Sequence, residues 1–273
     1  MPDDVQPGLN QREKEDVEEL AAPRAPVIYE VVRRQGEEEL RRPIGSLFWS
    51  GIAGGITMMA SVIAEGALAS KLPSSIAWRQ PVIDLGYTLG FLMVVLGRMQ
   101  LFTEQTIVAV LPIMRRPSWG KLRIAVRLWG IVFVANIIGV SAAAAMNTQL
   151  RMVSHDLLVS MLEVSSRLAD KTPMEVLLQG VPAGFLIASV AWIRAGLTSG
   201  HFWVVLTLTY AIALGGFTHV IAGSAETFLL LFSGKIGAAQ AFGSLILPAL
   251  VGNVIGGTGL FALLAHAQVR QEL

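Results

Sequence analysis

Leu214-Gly215-Gly216-Phe217-Thr218-His219-Val220-Ile221-Ala222-Gly223-Ser224-Ala225-Glu226 lies inside an apolar segment, His201 to Phe232, that holds one charged residue, Glu226, and one interior histidine, His219. A bilayer core about 30 Å thick needs only about 20 helical residues. The 32 residues of this segment are therefore too many for one straight span and too few for two. The pattern predicts a broken helix. Gly215 and Gly216 are where it breaks, because glycine adopts backbone angles that other residues avoid, and the break leaves helix ends inside the membrane. His219 then stands beside an unwound turn at mid-membrane. A titratable group at that depth is costly and marks a pathway by default. A histidine hydrogen-bonded to a neighbouring helix is the other reading of the same residue.

The composition sets the class. Of 273 residues, 53% are hydrophobic and 15% charged, which describes an all-α polytopic membrane protein. No cysteine is present, so disulfides, thiolate metal sites and cysteine nucleophiles are excluded. The net charge of +1 carries no signal for nucleic acid. The first 40 residues start acidic and lack a basic leader followed by an apolar run, so no cleavable signal peptide is expected.

Along the chain, Met1 to Pro26 is proline-rich and acidic, a composition that predicts a disordered tail. Val27 to Arg42 alternates apolar residues with charges and predicts a short helix on the membrane face. Residues 1–42 thus form a cytoplasmic tail with an interfacial helix, and residues 43–273 a six-span channel domain. Span one runs from Ile44 to about Leu68, with Glu65 as its only charge. Pro81 to Met114 is a second overlong apolar segment, 34 residues interrupted by Arg98-Met99-Gln100-Leu101-Phe102-Thr103-Glu104-Gln105. Polar residues at that depth are tolerable where irregular backbone lines a cavity or packs on protein. Arg115, Arg116, Lys121, Arg123 and Arg127 make the next connection basic and so cytoplasmic, by the positive-inside rule. Span three covers about Leu128 to Met146, an amphipathic helix falls within Asn147 to Pro173 on the outer face, span four covers Met174 to about Arg194, and span six about Ala241 to His266. Six spans put both termini on the cytoplasmic side.

Comparison of the halves exposes a repeat. Gly51-Ile52-Ala53-Gly54-Gly55 of span one matches Gly180-Val181-Pro182-Ala183-Gly184 of span four, and Asn136-Ile137-Ile138-Gly139 of span three matches Asn253-Val254-Ile255-Gly256 of span six. The two interrupted segments are then spans two and five, equivalent positions in two three-span repeats. Because three is odd, the repeats are inverted in the membrane, and both breaks converge near the midplane. Helix N-termini there favour anions. The alignment pairs Glu65 with Arg194, but inversion places them on opposite sides of the midplane, so they are not expected to touch.

These motifs resemble those of the formate/nitrite transporters over roughly Pro43 to Ala267. The resemblance rests on Leu101-Phe102-Thr103 in one break, Gly216-Phe217-Thr218-His219 in the other, and the Asn-x-x-Gly elements of spans three and six. It implies an aquaporin-like inner-membrane channel, a homopentamer with one pore per protomer, a central histidine matched by His219, and a nearby threonine matched by Thr103. The chain departs from the family pattern at Gln100, where Glu is usual, at Arg98, where a small residue is usual, and at Val220 and Gly223, where Ser and Asn are usual. It looks like a divergent branch.

A bare anion pays a large desolvation penalty in an apolar constriction, whereas its neutral acid crosses at much lower cost. Histidine is the side chain suited to exchanging a proton near neutral pH. The expected function is passage of a small monovalent anion of a weak acid together with a proton, centred on His219. Thr103 and Gln100 line the path. Leu101, Phe102 and Phe217 are either apolar gates or helix packing. Arg98, Glu104 and Glu226 are secondary charges, with Arg98 a partner for Glu104, or for Glu226 at a protomer contact. No catalytic residues, metal or cofactor are expected. A water or glycerol channel would need Asn-Pro-Ala at both breaks, and no Asn-Pro occurs. An intramembrane serine hydrolase would have to use Ser224 with His219, without the Gly-x-Ser-Gly setting. A non-conducting scaffold is the remaining rival.

Overall fold

Arg42 and Pro43 both adopt extended backbone in the computed structural model, and this two-residue joint separates helix α1 (Ala25–Arg41) from the first span, α2 (Ile44–Lys71). The structure describes residues 8, 10–13 and 21–272. The expectation of a disordered tail over Met1 to Pro26 falls largely outside them. The chain continues through α3 (Arg79–Leu96), α4 (Phe102–Val108), α5 (Leu111–Arg115), α6 (Trp119–Thr148), α7 (His155–Ala169), α8 (Pro173–Ala195), α9 (His201–Leu214), α10 (Val220–Phe232) and α11 (Gln240–Val269). No strand occurs among the described residues. Helices α2, α6, α8 and α11, of 28, 30, 23 and 30 residues, are each long and apolar enough to cross a membrane. The pairs α3–α4 and α9–α10 are the interrupted second and fifth spans.

Each half is built on the same crossing. A Cβ at Gly55 of α2 would strike the Asn136 carbonyl oxygen of α6, and one at Gly184 of α8 would strike the Asn253 carbonyl oxygen of α11. Glycine is required because the two backbones themselves are in contact. The α11 helix carries two wide-turned π-helical stretches, Gln240–Ile246 and Ile255–Ala262. The second brings the Thr258 hydroxyl to donate to the Thr106 carbonyl of α4, tying the halves together. Amphipathic α7 packs on α2 and α10 at one end of the bundle, burying Met161 and Ser165.

The interfacial helix differs from expectation in what it lies on. It docks on the other end of the bundle itself, burying Tyr29 and Val32 completely, with the Tyr29 hydroxyl 2.8 Å from His266 Nδ1. Its Gly36 faces the Val108 carbonyl at a distance that admits no side chain. Arg24 pairs with Glu272 at 2.7 Å, which places both ends of the described chain on this face. On its polar side, the Arg33 guanidinium, bonded twice to Glu30, and Arg34 behind it hold the Glu30 carboxyl at about 2. A carboxyl depressed in this way stabilises the fold at all pH values above its ordinary range, and the stabilisation is lost only as pH falls through about 2. The Glu30 carboxyl therefore stays charged between pH 5 and 8.

Candidate functional site

Asn136 and Asn253 build the two breaks in the same way. Asn136 Oδ1 accepts from the Phe102 amide at 2.9 Å, while its Nδ2 donates to the Gly51 carbonyl at 2.7 Å and the Gln100 carbonyl at 2.9 Å. Asn253 Oδ1 accepts from the Val220 amide at 2.8 Å, while its Nδ2 donates to the Gly180 and Thr218 carbonyls, both at 2.9 Å. One buried carboxamide thus satisfies the first amide of a half-helix and a carbonyl of the unwound turn, groups that would otherwise be unpaired in a medium without water, and adds a second bond to a carbonyl inside the crossing span. The matched bonds fix the register between halves. Leu101 is equivalent to His219, and the left-handed residue Arg98, with φ of 52°, is equivalent to Gly216, with φ of 61°.

The breaks span residues 97–101 and 215–219. The first is shorter than the expected interruption from Arg98 to Gln105, because Phe102 already starts α4 once Asn136 caps it. Arg98 occupies a conformation that costs a non-glycine residue about 1–2 kcal/mol. Its side chain is solvent-exposed. Arg98→Gly is expected to raise stability by about 1 kcal/mol, read as an increased melting temperature of the detergent-solubilised protein; a lower melting temperature would mean that the side chain is held by contacts made in the assembly.

His219 sits at the N-cap of α10, and its Nδ1 accepts from the Ala222 amide at 3.2 Å. That acceptor role leaves the hydrogen of the neutral ring on Nε2, which donates to Thr103 Oγ1 at 2.7 Å across the junction of the two halves. The ring is 2% exposed, and Phe91 stands edge-on to it at 4.9 Å between centroids. Phe91 went unremarked in the sequence because it lies inside the continuous helix α3, with no polar neighbour to single it out. The half-helix N-termini are expected to favour anions. In the structure the leading amides of α10 are already bonded to Asn253 and His219. The electrostatic field of the helix ends remains to act on an anion.

Two cavities flank this junction, lined by disjoint sets of residues. The one on the α1 face measures about 630 Å³ and is bordered by Arg98, Gln100, Glu104 and Arg194. Gln100 donates to Glu39 of α1 at 2.9 Å and accepts from Gln105 at 2.9 Å. Glu104 pairs with Arg194 at 3.1 Å, not with Arg98 as expected; the inversion brings α8 of the second half against α4, while Arg98 faces open cavity. The cavity on the α7 face measures about 140 Å³ and is bordered by His219, Phe217, Glu226, Glu65, Arg167 and Lys171, among others. Glu226 and Arg98 therefore line opposite cavities and do not pair within the chain. Glu65 and Arg194 likewise lie on opposite sides and do not touch. Lys171 Nζ donates to the Gln179 side chain and to the Gly216 carbonyl, both at 2.6 Å, placing a cation at the C-terminal end of α9, where the helix field is negative. Burial lowers the Lys171 ammonium from its ordinary value, against the opposing pull of Glu226 and Glu175.

Of the apolar candidates, Leu101 is fully buried. The Phe102 ring packs on Trp129 and Phe133 at 5.9 and 5.2 Å and borders neither cavity. Phe217 is half-buried in the wall of the smaller cavity. Ser224 donates to the Val220 carbonyl in its own helix and makes no bond to His219. Among the described residues no group of three or more His, Asp or Glu side chains could hold a metal ion.

Two inverted three-span repeats whose interrupted helices abut at a buried histidine, in an aquaporin-like arrangement, define a channel-type integral membrane protein. A family model described as "Formate/nitrite transporter" matches residues 26–267, and the chain belongs to that family. It is 36% identical to the inner membrane protein YfdC of Escherichia coli (strain K12) over 253 residues, covering 92% of this chain and 80% of that one. It is 26% identical to the uncharacterized transporter YrhG of Bacillus subtilis (strain 168) over 248 residues, covering 88% and 92%. Among solved structures, a pentameric formate channel with formate bound superposes with a TM-score of 0.72 at 17% identity, covering 84% of this chain and 98% of that one. An ion channel of the same family superposes with a TM-score of 0.72 at 18% identity, covering 89% and 98%.

Proposed function

We propose that the chain is a channel for small monovalent anions of weak acids, of the formate and nitrite kind, in which passage of the anion is coupled to a proton at His219. The observation that carries this reading is the His219–Thr103 bond at 2.7 Å between two otherwise separate cavities. An anion reaching it replaces Thr103 as acceptor of the Nε2 hydrogen. Beside it stands Phe91, fully buried, as is Leu101 two residues before Thr103. A bare anion leaving water for such a wall pays a desolvation cost that a neutral acid escapes. Residues Thr103, Gln100 and Phe217 line the way to the constriction or border it, with Leu101 as the apolar barrier.

The assembly in this reading is a homopentamer in the inner membrane, with both termini and the basic connection Arg115 to Arg127 in the cytoplasm. The pentameric neighbour and the inner-membrane relative support it. So does the apolar exterior, where Trp49, Ile138, Trp203 and Val251 are exposed to lipid or to a second protomer. The test is flux of formate, nitrite, acetate and hydrosulfide into liposomes holding the purified protein, at several pH values. Uptake that rises as pH falls is the expected result. Protein that assembles yet passes none of the four would end the proposal and favour the non-conducting scaffold.

A further inference from the structure

Glu65 was read as the lone charge of span one and Glu226 as the lone charge of span five. The fold brings both to the wall of the cavity that His219 borders. Glu65 is 5% exposed, and its Oε2 has no hydrogen-bond partner. It faces Glu226 of α10, Asp84 of α3 and Arg167 of α7. Glu226 faces Lys171 and Arg167, Tyr87 of α3 faces both glutamates, and Lys171 also faces Glu175. Asp84 accepts from the Gln80 side chain. The cavity, at about 140 Å³, is well above the roughly 10–15 Å³ that holds one water. The acids form no metal-binding group. An unbonded buried carboxylate oxygen in a wall that also holds a second carboxylate calls for a proton on one of the two, since two like charges in a low-dielectric wall repel strongly.

Resting on the functional reading above, we propose that Glu65 and Glu226 form a proton store, one proton shared by two carboxylates, that supplies the proton taken up by the anion at His219. His219 is poorly placed to be that source. Its Nδ1 is held by the Ala222 amide and its Nε2 hydrogen is the only one on the neutral ring. Its part is to hold the anion as a hydrogen-bond donor. With one proton on the pair, the remaining negative charges, one on the pair and one on Asp84, are matched by Arg167 and Lys171, and an anion enters a cavity with no net charge against it. The carboxyl O–H bond then breaks, an O–H bond forms on the anion, and the neutral acid moves on. The pair is left doubly negative, so a second anion is repelled until a proton from water in the cavity refills the store. One proton therefore accompanies each anion.

The experiment follows formate flux and internal pH in liposomes holding the parent, Glu65→Gln and Glu226→Gln, between pH 5.5 and 8. The parent is expected to carry one proton per formate. Each Gln variant is expected to lose on the order of tenfold or more in coupled flux at the alkaline end. Gln variants with the parental proton-to-formate ratio and pH profile would overturn the store while leaving the channel reading intact. A parent that passes none of the tested anions would overturn the channel reading instead. Should the Gln variants fail to assemble, infrared spectra of the parent, Glu65→Asp and Glu226→Asp decide the matter. A protonated-carboxyl band at neutral pH that moves in both Asp variants is expected, and a band that moves in neither, or is missing from the parent, overturns the proposal.

Discussion

His219→Asn is expected to leave the assembled protein and its thermal stability near the parent while lowering flux per assembled channel on the order of 10²-fold. The structure separates two roles of the histidine that one substitution can pull apart. Nδ1 caps α10 through the Ala222 amide, and asparagine is among the best residues at a helix N-cap, so the cap survives. The Nε2 donor, which reaches across to Thr103, has no counterpart on the shorter side chain. His219→Ala removes the cap as well and should cost about 0.5–2 kcal/mol of stability. The measurement is pH-dependent flux in liposomes for the parent and both variants, each normalised to assembled protein, alongside melting curves. Normalised flux of the Asn variant equal to the parent across pH 5 to 8 would show His219 to be a cap and nothing more.

Asn253→Ala is expected to cause the largest loss of stability of any single substitution considered. It strips partners from the Val220 amide and the Gly180 and Thr218 carbonyls at once, all in a region without water. The Gly180 carbonyl keeps the bond of its own helix, so two groups are left unpaired; at about 1–3 kcal/mol each the total is on the order of 2–6 kcal/mol. Asn136→Ala strips the Phe102 amide and the Gly51 and Gln100 carbonyls and should cost the same to within about 1 kcal/mol. Thermal melting of the two variants in one detergent checks both statements. A large loss in one half with little in the other would contradict the equivalence of the repeats.

Much of this architecture was legible in the sequence because membranes narrow the choices. A 32-residue apolar run with paired glycines has few ways to cross a bilayer, and the shared Asn-x-x-Gly and glycine motifs revealed the repeat before any coordinate did. The asparagines were legible as markers but not as caps, since their partners come from two other segments, the break and the crossing span. Glu104 with Arg194 and Glu65 with Glu226 were hidden for a related reason. Inversion pairs residues that alignment does not, and only the fold shows which face of each helix turns inward. Phe91 and Tyr29 left no signal at all, one aromatic among many apolar neighbours and one in a charged tail segment.

The partners of each asparagine also bear on how the molecule comes to exist. Asn136 bonds only to residues between Gly51 and Phe102, and Asn253 only to residues between Gly180 and Val220. Each carboxamide is synthesised after the break it closes, yet within the same half. The first half can therefore seal its own interruption while the second is still on the ribosome, and the nascent chain never has to hold two open breaks in the lipid at one time.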